Sequence, residues 1–180
     1  DITIGGPDIA VNSSDGFYVL TGGSLTMLSS YQNSGSGDVT LVAGWDGTGL
    51  TSTGSVDFTD PCDPVISPNG TLNVSFTCDS FGNSGGGLTI GSESQVDGVA
   101  IGSKDGLNTF AGAGIMLSAG DSGTDSFSQL GYRPTAGGMG GTGDIEVHVK
   151  GSGLTFNSGD ADGAFTQIGH GGYGSVAHAR

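Results

Sequence analysis

The sequence predicts an all-β fold, built as a parallel β-solenoid, on three observations. Apolar residues fall in short alternating bursts, Gly-rich turns separate the bursts, and a hexapeptide recurs along the chain. In order, the bursts are Ile2-Thr3-Ile4, Phe17-Tyr18-Val19-Leu20, Leu25-Thr26-Met27-Leu28, Val39-Thr40-Leu41-Val42, Leu72-Asn73-Val74-Ser75-Phe76 and Ile145-Glu146-Val147-His148-Val149. Each is strand-length, has a period near two and is rich in Thr and β-branched residues, as a half-buried strand requires. Composition agrees. Glycine supplies 38 of 180 residues, Lys and Arg together only 4, and Asp and Glu 18, for a net charge of −14. So little Glu and Lys argues against helices. Four cations cannot make the basic surface that nucleic acid needs. No apolar run reaches the roughly 18 residues of a membrane span, and Gly is too irregular for collagen. Disorder is opposed by a 34% hydrophobic content gathered into bursts rather than scattered.

The repeats say how the strands are arranged. Gly22-Gly23-Ser24-Leu25-Thr26-Met27, Gly85-Gly86-Gly87-Leu88-Thr89-Ile90 and Gly151-Ser152-Gly153-Leu154-Thr155-Phe156 share one form, with a looser copy at Gly112-Ala113-Gly114-Ile115-Met116-Leu117. A second repeat matches Ser126-Phe127-Ser128-Gln129-Leu130-Gly131-Tyr132 to Ala164-Phe165-Thr166-Gln167-Ile168-Gly169-His170. Strands this short bury a face only by stacking on equivalents from neighbouring turns of the chain. Leu25/Met27, Leu88/Ile90, Ile115/Leu117 and Leu154/Phe156 are then the inward positions, the residues between them point outward, and Gly marks the corners. With coils of roughly 20 residues, the second-half unit of 38–39 residues reads as two coils and the chain as eight or nine. A β-sandwich is the alternative, kept open by Asp15-Gly16, Asp46-Gly47, Asn69-Gly70, Asp97-Gly98, Asp105-Gly106 and Asp162-Gly163, which suit hairpins.

Residues 1–180 read as one solenoid domain interrupted by residues 56–84, which hold three of the five prolines and both cysteines. Pro61, Pro64 and Pro68 exclude central strands there, so the stretch reads as an inserted or elaborated loop. A Cys62–Cys78 disulfide would close a loop of about 16 residues and stabilise by about 3 kcal/mol in the chain-entropy view. The alternative is two buried free thiols; the acidic, Lys-poor composition, which suits an extracellular chain, favours the bond. No CxxC or His cluster accompanies the pair to make zinc of it. Starting at Asp1 without Met or a signal peptide, the chain is expected to be a mature product or a piece of a longer precursor.

Candidate chemistry is sparse. Asp121 and Asp125 occupy a turn equivalent to that of Asp160 and Asp162, and two carboxylates in a Gly-containing loop suit a hard cation such as Ca²⁺; ordinary turn Asp is the competing explanation. His170 lies among glycines with no nucleophile elbow to serve and is expected at a corner, stacked on the equivalent Tyr132. His148 shares a strand face with Glu146 and Lys150, a polar row expected to face solvent. Paired carboxylates could serve a polysaccharide-cleaving site, but Trp45 and four scattered cations signal no such groove, and no catalytic residue or further cofactor is expected. Asn12-Ser13-Ser14, Asn69-Gly70-Thr71 and Asn73-Val74-Ser75 have the form of N-glycosylation sequons.

Three phrases carry a family resemblance. They are Gly37-Asp38-Val39-Thr40-Leu41-Val42-Ala43-Gly44-Trp45-Asp46-Gly47, Gly143-Asp144-Ile145-Glu146-Val147-His148-Val149-Lys150-Gly151 and Ala164-Phe165-Thr166-Gln167-Ile168-Gly169-His170-Gly171-Gly172. In that order they resemble recurrent motifs of the filamentous-haemagglutinin-type adhesins, large exported β-helix proteins of Gram-negative bacteria. The resemblance covers most of residues 20–55 and 85–175. It implies a right-handed parallel β-helix, an extracellular or cell-surface structural and adhesive role, and no catalytic residues. The chain departs from the family in its length and in its Cys62–Cys78 region. Uncapped solenoid ends template further stacking, so self-association into filaments is expected, with Ile2, Thr3 and Ile4 as a docking strand. A cell-surface glycan or host receptor is the external partner such a surface implies. A polysaccharide-binding or polysaccharide-cleaving module is the rival.

Overall fold

The computed structural model describes residues 1–46, 81–82, 85–135 and 138–172, with the backbone of two further short strands. The strands are β1 (Ile2–Ile4), β2 (Ile9–Val11), β3 (Phe17–Thr21), β4 (Leu25–Met27), β5 (Tyr31–Asn33), β6 (Val39–Ala43), β7 (Leu50–Thr51), β8 (Asn73–Val74), β9 (Leu88–Gly91), β10 (Val99–Ser103), β11 (Asn108–Ser118), β12 (Phe127–Leu130), β13 (Ile145–Asn157) and β14 (Phe165–Ile168). The chain is all-β, and every pairing among β1–β6 and β9–β14 is parallel. Among the described residues only β7 and β8 pair antiparallel. That removes the β-sandwich alternative: Asp15-Gly16 and Asp105-Gly106 turn the chain from one sheet to the next instead of folding hairpins.

The ladders form three columns. The first aligns Ile2, Leu25, Leu88, Ile115 and Leu154. The second aligns Ile9, Tyr31, Ile101, Leu130 and Ile168. The third aligns Phe17, Val39, Asn108 and Ile145. Strands β11 and β13 serve the third column with their first halves and the first column with their second, and their mutual register shifts between Gly112 and Gly114. All four hexapeptide copies thus share the first column, and the longer repeat is the pairing of β12 with β14, Phe127 opposite Phe165.

The coil arithmetic needs correction. Between aligned first-column residues the chain advances 23, 63, 27 and 39 residues. The short steps are bare layers. The long ones are also single layers, enlarged by the connections from β6 to β9 and from β12 to β13. The 38–39 residue unit is therefore one layer carrying an excursion, and the columns are five layers deep at most, not eight or nine.

Packing follows from the alternation. Leu25, Met27, Leu88, Ile90, Ile115 and Leu117 are buried against Tyr31, Leu41, Ile101, Phe110 and Leu130 in one core, each large side chain contributing about 1.5–3 kcal/mol relative to exposure. Leu154 and Phe156 share the inward positions but are 41% and 50% exposed. They belong to the terminal layer, and among the described residues no strand pairs with their free edge.

The corners between second and third columns are locked by buried Asn, which the Gly pattern did not reveal. Asn33 Oδ1 accepts from the Ser13 and Gly35 amides, and its Nδ2 donates to the Ser13 and Gly37 carbonyls. Asn108 closes the next such corner through Ser103, Gly106 and Asp144. Gly37 lacks a Cβ where the Asp15 carbonyl passes, so successive corners nest directly on each other.

On the outside of the third column, Val42, Ala111 and Phe81 bury one another beside Tyr18, Leu20, Trp45 and Leu107. This corrects the expectation for His148: it is half-buried, with Phe81 edge-on at 6.1 Å and Glu146 Oε2 at 3.6 Å, rather than part of a solvent-facing row. Of residues 56–84, only β8, Phe81 and Gly82 are described; Cys62, Cys78 and the Asn69 sequon lie outside the described residues.

Candidate functional site

Along the second column Tyr31, Ile101 and Leu130 point into the core, so alternation turns Ala10, Gln32, Ala100, Phe127 and Phe165 outward. The first three layers turn out Ala10, Gln32 and Ala100, and the last two turn out the aromatic Phe127 and Phe165. Phe127 lies flat across Gly98, where a Cβ would enter its ring, and stacks on Phe165 with centroids 5.3 Å apart and planes 13° from parallel. The β12–β13 excursion then returns over this face. The Arg133 amide donates to Gln32 Oε1 at 2.6 Å, while Gln32 Nε2 donates to the carbonyls of Tyr31 and Gly131. The Arg133 guanidinium carbon sits 3.5 Å above the Phe127 ring and 5.6 Å from Phe165, a cation–π geometry.

Two cavities flank this Arg–Phe ridge. One, of about 400 Å³, is walled by Tyr132, Pro134 and Gln32 over an Ala10 and Ala100 floor. The other, of about 860 Å³, is walled by Gln95, Asp97 and Asp125 opposite Leu28. Asp8, Ser30, Phe127 and Arg133 border both. Burial pushes the Arg133 guanidinium below its ordinary pKa, opposed by the Asp125 carboxylate. The result is a long groove with one half-buried cation, an aromatic ridge, a rim of hydrogen-bonding groups and three carboxylates. At its border the Asp8 carboxylate accepts from the Ser30 amide at 2.7 Å.

The far end of the excursion is fastened by His170. The Tyr132 amide donates to Nδ1 at 3.0 Å, so the ring proton is on Nε2, which donates to the Gly143 carbonyl at 2.7 Å. Gly171 adds a backbone bond to the Tyr132 carbonyl. Burial lowers the His170 pKa, while Gly143, Asp105 and Asp144 pull it back. The corner position and the neighbourhood of Tyr132 agree with expectation; the contact is a hydrogen-bonded clasp instead of ring stacking.

The Asp turns do stack. Asp121 accepts from the Asp160 amide at 3.1 Å, Thr124 bridges to Asp162, and Asp125 takes a positive φ of 62° as its amide donates to the Asp162 carbonyl. Of the four carboxylates, that of Asp121 accepts a turn amide, and among the described residues no group of three or more His, Cys, Asp or Glu is positioned to hold a metal. Ile2, Thr3 and Ile4 lie at the opposite edge of the first column, paired on one side with β4. Among the described residues no helix is long and apolar enough to cross a membrane. The groove escaped sequence reading because Gln32 lies 101 residues from Arg133 and meets it and Phe127 only through the ladder; the offset of 38 between Phe127 and Phe165 was the one available signal.

Compared with known protein families, curated proteins and solved structures, the chain finds no match.

Proposed function

We propose that the chain is a right-handed parallel β-solenoid that serves as a structural and adhesive element at the bacterial cell surface, of the filamentous-haemagglutinin type, and that it extends into a fibre by end-to-end stacking. The observation that carries this is the combination of three in-register parallel columns with apolar inward residues exposed in both terminal layers. Nearly all parallel β crossovers are right-handed, which sets the hand of a path visiting the three columns in turn. A rod of this kind holds binding surface away from a cell without catalysing anything. The absence of charge from the described strands, except for Glu146 and Lys150 in β13, leaves few of the devices by which edges resist stacking. Electron microscopy and sedimentation velocity test the proposal. Filaments whose width matches one solenoid are expected, and uniform monomers at high concentration and salt would overturn it.

The groove favours a second reading, a polysaccharide-binding module. Arg133 over Phe127, with Gln32, Tyr132 and the rim carboxylates, offers an apolar platform and directional hydrogen bonds along an open trough, the mixture that sugar recognition uses. Titrating neutral and acidic glycans against the protein and an Arg133→Ala variant separates it from a purely structural role: saturable binding lost in the variant is expected, and equal binding by both proteins would remove the groove from consideration.

A further inference from the structure

The two terminal layers are opposite ends of the same ladders. In the first column β1 ends one side with Ile2 and Ile4, and the 153–157 part of β13 ends the other with Leu154 and Phe156. In the second column β2 ends one side with Ile9, and β14 ends the other with Ile168. Ile2 is 39% and Ile9 47% exposed, against near-complete burial of their partners one layer in. Among the described residues no strand pairs with either outer edge, and the backbone of both edges runs in the same direction as the rest of the column.

From this we infer the register of the joint, resting on the fibre reading above: a second copy of this chain docks head to tail, with its β1 parallel to β13 and its β2 parallel to β14. Ile2 then faces Leu154, Thr3 faces Thr155, Ile4 faces Phe156 and Ile9 faces Ile168. The occupant is a second copy because this alignment continues the rule the ladders already obey. Leu25 on Leu88, Met27 on Ile90 and Ile101 on Leu130 are the same apolar-on-apolar stacking inside one chain, and the 2/154, 4/156 and 9/168 positions of the joint repeat it. A one-residue slip would set inward Ile2 opposite outward Thr155 and outward Thr3 opposite inward Phe156, so the pleats would no longer match. Head-to-head or tail-to-tail docking would make the strands antiparallel and break the column. No charged residue lies in β1, β2, β14 or the 153–157 part of β13, so no charge is buried in these two columns of the joint. What opposes docking is the net −14 on each copy, a long-range term that salt screens.

Cross-linking tests the register. Thr3 and Thr155 are exposed, outward and at strand positions, so T3C and T155C leave packing untouched. Facing Cα atoms on adjacent strands lie about 4.8 Å apart, within disulfide reach of about 4.4–6.8 Å. The two variants are mixed under mild oxidant at about 1 M salt, where the screening length is about 3 Å, with the parent chain giving the Cys62 and Cys78 background. Covalent dimers are expected in the mixture alone, with mass spectrometry placing the bond between positions 3 and 155. Dimers in T3C alone or T155C alone, or association by sedimentation without the 3–155 bond, overturn the register while leaving a fibre intact. Absence of any association of the parent chain overturns the fibre reading itself.

Discussion

Asn108→Ala tests whether the corners between the second and third columns are held by their buried Asn or only by their glycines. Asn108 is fully buried. Its Oδ1 is the acceptor for the Ser103 amide at 2.6 Å, and its Nδ2 donates to the carbonyls of Ser103, Gly106 and Asp144 at 3.0–3.2 Å. Alanine strands the Ser103 amide, which costs about 1–3 kcal/mol for an unsatisfied buried donor. The lost carbonyl bonds add about 0.5–1.5 kcal/mol each, reduced where another donor is found. A loss of about 3–5 kcal/mol follows, a large share of the roughly 5–15 kcal/mol typical of a domain. In urea, where m is about 1–3 kcal/mol/M, the midpoint should fall by about 2 M. The Asn108→Asp variant keeps the acceptor but sets a carboxylate oxygen against three carbonyls, so it should be as damaging at neutral pH and recover in acid as the carboxyl protonates. Equilibrium unfolding followed by circular dichroism and Trp45 fluorescence reads both. A loss below about 1 kcal/mol for the alanine variant, or a neutral-pH aspartate variant as stable as the parent, would show that the corner does not depend on this side chain.

The neighbouring residue should behave in the opposite sense. Thr109 Oγ1 is buried without a partner, so Thr109→Val, which removes a stranded hydroxyl at constant shape, should leave stability unchanged or raise it by about 1 kcal/mol in the same unfolding assay; a loss above that would mean the hydroxyl is satisfied. Gly98→Ala drives a methyl into the Phe127 ring and should destabilise by about 1–3 kcal/mol, with loss of the Phe127–Phe165 ring-current shifts by NMR; retained shifts would place the ring elsewhere. The His170 clasp should be pH-sensitive. Its pKa is lowered from 6.5 by burial, so the folded state favours the neutral ring. Its contribution is complete above pH 6.5 and is lost as the pH falls through the folded pKa, when Nδ1 gains a proton facing the Tyr132 amide. Hydrogen exchange of the Tyr132 and Gly171 amides, corrected for intrinsic rate, should accelerate over that window, and pH-independent protection would deny the clasp.

Legibility of the fold divided along the line between local and long-range information. Leu25, Leu88, Ile115 and Leu154 announced a common column because each carries its own corner glycines and an alternating neighbour two residues on. Those are local requirements of a strand leaving a turn, and they survive any intervening length. The number of layers was not legible for the same reason: an offset of 39 residues is equally a pair of coils or one coil with an excursion, and only the pairing of Ile115 with Leu154 decides between them. Leu154 and Phe156 matched Leu25 and Met27 in pattern yet differ in burial, since exposure here depends on position along the stack. His148 alternates as an outward polar residue, and outward is where it points; Phe81, drawn from the β6–β9 connection, covers it. Arg133 had no pattern at all, because a cation over Phe127 and bonded through its amide to Gln32 is a property of how one loop crosses three layers.

Charge placement connects the fold to the proposed direction of growth. Every described aspartate lies outside the strands, in corners and connections, and the strands carry charge only at Glu146 and Lys150. Asp1 and Asp8 are spent on the amides of Ser24 and Ser30, Asp38 on that of Leu107 and Asp121 on that of Asp160. Acidic corners therefore run along the length of the stack, while the stacking surfaces of the first two columns at each end are apolar and uncharged. Side-by-side contact would bring acidic corners of two copies together over many layers, and end-to-end contact opposes only one layer's worth. On the proposed reading, the excess of Asp over Lys and Arg thus selects axial over lateral association. Raising salt should first lengthen filaments and only at higher concentration bundle them, an order that light scattering and electron microscopy of one titration can resolve; bundling before lengthening would contradict the assignment of the ends as the favoured surface.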